Sequence, residues 1–227
     1  MIKDNILRLQ TDISLICQRL GRNPQEITVV AITKFATVPM IEEALQSGIS
    51  HIGENKVQEA VKKYSSFPSP ETKVTRHMVG HLQTNKVKDA LEIFNVVDYV
   101  DSLKLAHTID KFGKKIKRKV DTLIQVNTSG ETKKYGISFK EAMKFLREVS
   151  RLDFLRVRGL MTIAPFSDDA QAVRSCFRKL RQLRDQAMNE GIKNIKMDYL
   201  SMGMSADYSV AIEEGSNMVR IGRAIFK

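Results

Sequence analysis

The 227-residue sequence predicts a single-domain parallel α/β barrel, a (βα)8 TIM-type fold with an extra N-terminal helix. Three observations carry this. Apolar, β-branched runs alternate with amphipathic helical stretches to the end of the chain. The runs number eight, the count that closes a βα barrel. The chemically distinctive residues also crowd the C-terminal ends of those runs, the face on which such barrels carry their sites. An open doubly wound sheet is the competing architecture. One domain, residues 1–227, suits the length, and 42% apolar with 28% charged residues excludes a disordered chain. No linker, low-complexity tract or repeat divides it.

The elements follow in order. Residues 4–20 place Ile6, Leu9, Ile13, Cys17 and Leu20 at helical spacing and stop at Gly21, which predicts the leading helix. Residues 27–33 are a near-continuous apolar run, as expected of a strand buried on both faces. A helix through Met40, Ile41, Ala44 and Leu45 is stopped by Gly48. Further strands are expected at 50–53, 76–79, 96–100, 121–127, 155–162, 197–201 and 217–221. Helices are expected near 55–64, 84–94, 102–117, 138–150, 168–190 and 206–214. Asn85-Lys86 reads as the cap and opening of its helix.

Composition narrows the function classes. Cys17 and Cys176 match no metal or redox spacing and are expected as free thiols in a reducing compartment. His51, His77, His81 and His107 show no metal-ligand spacing, and His51 and His107 read as structural. The opening residues lack an apolar leader core and no stretch is long enough to cross a membrane, so a cytoplasmic protein without a membrane partner is expected. The net charge of +11 raises nucleic acid as a partner. However, the densest basic run, 111–119, reads as the solvated end of a helix that leads into a strand, on the face opposite the site. The run from Arg174 to Arg184 alternates with Val173, Phe177, Leu180 and Leu183 as an amphipathic helix. Neither run interleaves aromatic residues for stacking bases, so no nucleic-acid partner is expected.

The candidate site is assembled from strand ends. Lys34 directly follows the first buried strand, at the edge of a low-dielectric interior where burial disfavours the ammonium form and makes an amine nucleophilic toward carbonyls. The alternative is a lysine that snorkels to solvent. Ser201, Gly203, Ser205 and Gly222 follow the seventh and eighth strands, where barrels commonly seat phosphate on small residues. In Val219-Arg220-Ile221 the alternation turns Arg220 into the barrel if its neighbours face the helices. A buried arginine stays protonated and needs an acceptor, either a strand-end carboxylate such as Glu54 or a pyridine nitrogen.

Seven stretches in order extend this pattern over nearly the whole chain: 31–34 (AITK), 53–59 (GENKVQE), 77–86 (HMVGHLQTNK), 126–131 (VNTSGE), 158–163 (RGLMTI), 200–205 (LSMGMS) and 219–222 (VRIG). The sequence resembles the pyridoxal phosphate homeostasis protein family. That resemblance implies a barrel like the N-terminal domain of alanine racemase, and pyridoxal 5'-phosphate held as a Schiff base on Lys34. It also implies a phosphate held by Ser201 and the backbone around Gly203 and Gly222, with Arg220 facing the pyridine nitrogen. Asn55, His77 and Met161 would line the pocket. Two departures stand out. Arg223 replaces the small hydroxyl residue usual after the glycine matched by Gly222, and the chain stops at Lys227, a little short of the family's usual end, which predicts a short last helix. A guanidinium at 223 is expected to replace the hydroxyl contact, or backbone alone to hold the phosphate.

Two functions compete within the resemblance. One is a non-catalytic carrier that stores pyridoxal phosphate and delivers it to apo enzymes, expected as a monomer. The other is an amino-acid racemase-like enzyme. An arginine at the pyridine nitrogen makes a weaker electron sink than a carboxylate, and no second domain supplies an acid/base on the substrate's other face. The carrier is therefore expected. A Schiff-base aldolase acting on a sugar phosphate would leave Arg220 without a role.

Overall fold

The computed structural model describes residues 1–65, 73–131, 135–165, 167 and 169–227. The leading helix α1 (Ile2–Arg19) buries Ile2, Ile6, Leu9, Ile13, Ile16 and Cys17. Leu20, expected on the same face, is instead the helix cap and 41% exposed, because the helix ends one residue earlier and Ile16 fills the seam.

Among the described residues nine strands follow: β1 (Thr28–Ile32), β2 (His51–Glu54), β3 (Thr75–Met78), β4 (Val96–Val100), β5 (Val120–Asn127), β6 (Ile137–Ser138), β7 (Leu155–Met161), β8 (Ile195–Ser201) and β9 (Met218–Ile221). Eight of them, all but β6, pair in parallel in the order β4-β3-β2-β1-β9-β8-β7-β5, and pairing of β4 with β5 closes the ring. Closure removes the free edges that an open sheet would leave, and settles the barrel over the doubly wound alternative. The two-residue β6 adds only to the end of β5, at Val126 and Asn127.

Between the strands run α2 (Val38–Gln46), α3 (Val57–Tyr64), α4 (Val87–Ile93), α5 (Leu103–Lys115), α6 (Ala142–Val149), α7 (Ala170–Glu190) and α8 (Tyr208–Glu213), and α9 (Arg223–Phe226) ends the chain. Two expected helix starts are taken by other structure. The helix expected at 84–94 opens with a 3-10 turn over Thr84–Lys86, and Asn85 makes no side-chain cap to it. The front of the 138–150 helix is taken by β6 and a turn. Residue 168, the expected start of the seventh helix, lies outside the described residues; α7 begins after Asp169, whose carboxylate accepts from the Gln171 N–H at 2.9 Å.

Strand alternation divides the apolar residues into two cores. The larger lies between strands and helices and includes Ala31, Ile52, Val219 and Ile221 together with Phe177, Leu180 and Leu183 of α7. Each fully buried valine, isoleucine, leucine or phenylalanine among them contributes about 1.5–3 kcal/mol. The smaller fills the barrel with Val30, Tyr99, Leu123, Met161 and Met218. Met218 and Arg220 therefore share the inner face of β9, as the alternation requires.

Both cysteines are free and buried. The lysines at 111, 114, 115, 117 and 119 are exposed where α5 leads into β5, at the N-terminal end of the barrel. No described helix is long and apolar enough to cross a membrane.

Candidate functional site at the C-terminal mouth of the barrel

After β1 the chain keeps Thr33 fully buried and then turns outward, so Lys34 and Phe35 are both exposed. The Lys34 Nζ stands 4.7 Å from the centroid of the Phe35 ring. Of the two readings left open for Lys34, the exposed one describes its place here. The amine lies in the open mouth, over an aromatic face that attracts a cation.

What is buried is the network that fixes the backbone behind Lys34. The Thr33 N–H donates to Gly53 O at 2.9 Å. Its hydroxyl lies 3.1 Å from Glu54 Oε2 and 3.2 Å from the Tyr64 hydroxyl. Lys63, from α3, donates to Thr33 O at 2.7 Å and to Glu54 Oε2 at 2.8 Å. Glu54 thus pairs with Lys63, not with Arg220. Its other oxygen accepts from the Asn55 N–H at 2.9 Å. Gly80 presses against the same turn, since a Cβ there would sit 2.3 Å from Asn55 O.

Arg220 occupies the barrel interior, 5% exposed. Its guanidinium donates to Ser201 O at 2.9 Å, to Ser201 Oγ at 2.7 Å and to Thr162 O at 2.7 Å. Burial pulls its pKa below the ordinary arginine value, while Asp98 and Asp207 act in the opposite sense. Ser201 is itself fully buried, so its hydroxyl serves first as an acceptor that orients Arg220. Met161, also fully buried, packs in the inner core beside Met218.

The loops after β8 and β9 are tied side by side. The Arg220 N–H donates to Gly203 O at 3.0 Å, and Ser205 Oγ accepts from the Ala224 N–H at 3.3 Å. Gly203 has φ +97, and a Cβ would meet that of Ala211 at 2.6 Å, so only glycine fits there. The Met204 N–H donates to Asp207 Oδ1 at 2.6 Å and closes the turn. Gly222 caps the four-residue α9, and Arg223, its first residue, is exposed.

His77, expected on the pocket lining, lies in the barrel interior with both ring nitrogens engaged. Its Nδ1 lies 2.9 Å from Asp98 Oδ1, and its Nε2 lies 2.9 Å from His51 Nδ1, with the ring 1% exposed. His51 is therefore part of a buried chain of polar groups, while His107 is exposed on α5. His81, at the rim, lies 3.1 Å from Asp101 Oδ2 and stacks on Tyr135 at 4.7 Å.

The structure brings Ser201, Gly203 and Arg220 together and links Ser205 to the loop of Gly222. Sequence reasoning missed Thr162, Lys63, Asp98 and Asp207. Asp98 had a signal, a carboxylate inside the apolar run Val96-Val97-Asp98-Tyr99-Val100. The carbonyl of Thr162 had none, because every residue carries one.

Residues 7–227 match the family model for the alanine racemase N-terminal domain. Among curated proteins, the chain is 38% identical over 227 residues to the pyridoxal phosphate homeostasis protein of Vibrio alginolyticus, covering 99% of this chain and 96% of that one. It is 36% identical over 226 residues to that of Escherichia coli K12, covering 99% and 95%. Among solved structures, a protein of unknown function from Bifidobacterium adolescentis superposes with a TM-score of 0.94 at 32% identity, covering 99% of this chain and 94% of that one. PipY of Synechococcus elongatus, solved with PLP bound, superposes at 0.87 with 28% identity over the full length of both. Alanine racemase of Clostridium difficile shares the fold alone, at 15% identity and a TM-score of 0.76, with this chain covering 56% of it. With relatives this similar along almost its entire length, the chain belongs to the pyridoxal phosphate homeostasis protein family, built on the barrel of the alanine racemase N-terminal domain.

Proposed function

We propose that the protein binds pyridoxal 5'-phosphate at the C-terminal mouth of the barrel and serves the intracellular storage and delivery of that cofactor, without turning over a substrate of its own. The observation that carries this reading is the placement of Arg220. A guanidinium fixed inside the barrel by Ser201 and Thr162 offers its remaining N–H groups to a neutral acceptor. A pyridine nitrogen is such an acceptor, and an arginine does not hand it a proton.

The other residues fit the same group. The joined loops at Gly203 and Gly222 offer backbone N–H groups and a glycine that no side chain could replace, which suits a phosphate. Arg223, exposed at the start of α9, supplies a cation at the entrance in place of a hydroxyl. Lys34 supplies the amine. When bound, the cofactor brings an aldehyde, which the amine nitrogen attacks to form a Schiff base with loss of water. The Thr33–Glu54–Lys63 network holds the backbone from which that amine projects. Asn55 and Met161 complete the walls.

The absence of catalytic turnover follows from charge. Arg220 keeps the ring nitrogen unprotonated, which weakens the cofactor as an electron sink. A racemase also needs a second acid/base. His77, one candidate, is tied to Asp98 and His51. His81, the other, stands on the exposed rim. The distant racemases share only the fold and add no weight to an enzymatic reading.

Borohydride reduction of protein incubated with pyridoxal phosphate, followed by peptide mass spectrometry, tests the site. The reduced adduct is expected on Lys34, with loss of the visible absorbance band. An adduct on another lysine would remove the assignment, and no adduct at all would remove the function.

A further inference from the structure

A polar chain runs through the barrel interior beneath the proposed site toward the N-terminal end of the barrel. On the side opposite Lys34, a cavity of about 610 Å³ lies between α1 and the N-terminal ends of β1 and β2. Its lining includes the polar residues Gln10, Ser14, Gln25, Thr28, Ser50 and His51, and His51 is the one titratable residue among them. From His51 the chain runs inward through His77 to Asp98, with both contacts at 2.9 Å. Asp98 is fully buried, and its Oδ2 has no hydrogen-bond partner among the described residues. Leaving a buried carboxylate oxygen unpaired is costly, so the arrangement calls for a function.

We propose that His51, His77 and Asp98 form a proton relay through the barrel, connecting the cavity at its N-terminal end to the charge balance around Arg220. The bonding pattern permits one direction of hydrogen bonds at rest. His77 donates from Nδ1 to the Asp98 carboxylate, which leaves its Nε2 as an acceptor for the Nδ1–H of His51. The Nε2 of His51 has no protein partner among the described residues. A proton arriving there from cavity water makes His51 a cation. Its Nδ1 proton then passes to His77 Nε2, and the charge comes to rest on the imidazole beside Asp98. One proton enters, one N–H bond breaks and one forms at each step, and the bond pattern of His51 is reversed.

Burial makes His51 a poor place for the charge to stay and lowers its pKa to about 4, with His77 acting in the same sense and Asp98 opposing. It is a conduit, not a reservoir. Other charged groups around the two rings are few. Asp98 faces them from β4, and Arg220 lies beyond it on β9, where it senses the Asp98 carboxylate. Glu54 of β2 is engaged by Lys63, and α1 presents no titratable side chain to the cavity. At rest Asp98 and Arg220 carry opposite charges. A proton on His77 offsets Asp98 and leaves the Arg220 charge less balanced. These residues act on Arg220 and thus position the ring nitrogen; they touch no reacting atom. This last link rests on the proposed cofactor reading.

The experiment separates the two. In cofactor-free protein, nitrogen NMR of the imidazoles across pH reads the relay directly. The wild type should show His77 carrying a proton on Nδ1 and a hydrogen bond joining the two rings. His51→Asn retains a group able to bond His77 but cannot carry a proton, and should slow exchange of the His77 ring proton with water about tenfold or more. His51→Gln, placing its amide further out, serves if the first variant fails to fold. An unchanged exchange rate of the His77 ring proton in a folded variant overturns the relay. In loaded protein, the pH profile of the bound cofactor's absorbance should also shift in His51→Asn. If the rings couple but that profile does not move, the link to Arg220 is wrong. If no cofactor binds, the functional reading fails while the NMR result still decides the relay.

Discussion

Arg220 shows how much one residue can disclose before any coordinates. Strand alternation alone turned it into the barrel, and composition required an acceptor for it. What alternation could not say was which acceptor, because Glu54 and Ser201 are equally near a strand end in sequence. The carboxylate went to Lys63, nine residues further along, and the hydroxyl and two carbonyls went to Arg220. Ser201→Ala should therefore weaken cofactor retention by about 1–2 kcal/mol, through a less well-held guanidinium, and a dissociation assay against pyridoxal phosphate checks this. Retention equal to that of the wild type would leave the Ser201 hydroxyl without the role assigned to it. His51 gives a second expectation at this scale. An unfolded chain takes up its proton near pH 6.5, whereas the folded protein holds this ring neutral down to about 4. The unfolded state binds more protons in that window, so stability is unaffected above it and falls as the pH drops through it. In denaturant titrations, His51→Asn should lose part of this fall between about pH 6.5 and 4.

Elements were read more surely than their ends. All eight barrel strands lie within two residues of where the apolar runs placed them, since parallel strands buried on both faces leave a dense signature. The errors gather where local hydrogen bonds compete with the pattern. Examples are the 3-10 turn before α4 and the two-residue β6 that displaced the start of α6. The β7–β8 contact carries a feature that no periodicity could show. The pairing shifts register between Val157 and Gly159, and Gly159 adopts φ +159 with its Cα against the Tyr199 carbonyl. A Cβ there would lie 1.9 Å from Tyr199 O, a backbone atom that cannot swing aside. Gly159→Ala should cost roughly 2–4 kcal/mol, at or above the usual range for overpacking a core, and lower the midpoint of chemical unfolding accordingly. A drop below about 0.5 kcal/mol would mean that the two strands can separate locally.

At the scale of the molecule, the site lies at one end of the barrel and the excess positive charge lies largely elsewhere. Lys34, Gly203 and Gly222 crown the C-terminal mouth, whereas the exposed lysines of 111–119 lie at the other end. On α7, Arg174 and Arg178 are neutralised on Glu213 and Glu214. The fold brings the Lys34 amine and the fixed Arg220 guanidinium to the proposed site, and both titratable rings that could reach from strand three are otherwise placed. His77 is locked in the interior, and His81 rests on Asp101 and Tyr135 at the rim. A molecule built this way should hold its cofactor without using it. Loaded protein incubated with a panel of amino acids should therefore show at most slow exchange of the α-hydrogen for deuterium, and no racemisation near the enzyme median of about 10 per second. Removing the His81 ring should change that rate little. Turnover at the median on any amino acid would make the protein an enzyme. Delivery is the other half of the expectation. Mixing loaded protein with an apo pyridoxal phosphate enzyme should restore activity faster than the same concentration of free cofactor does. Restoration at only the free-cofactor rate would confine the protein to storage, because an exposed Lys34 would then release its cargo to water before any recipient met it.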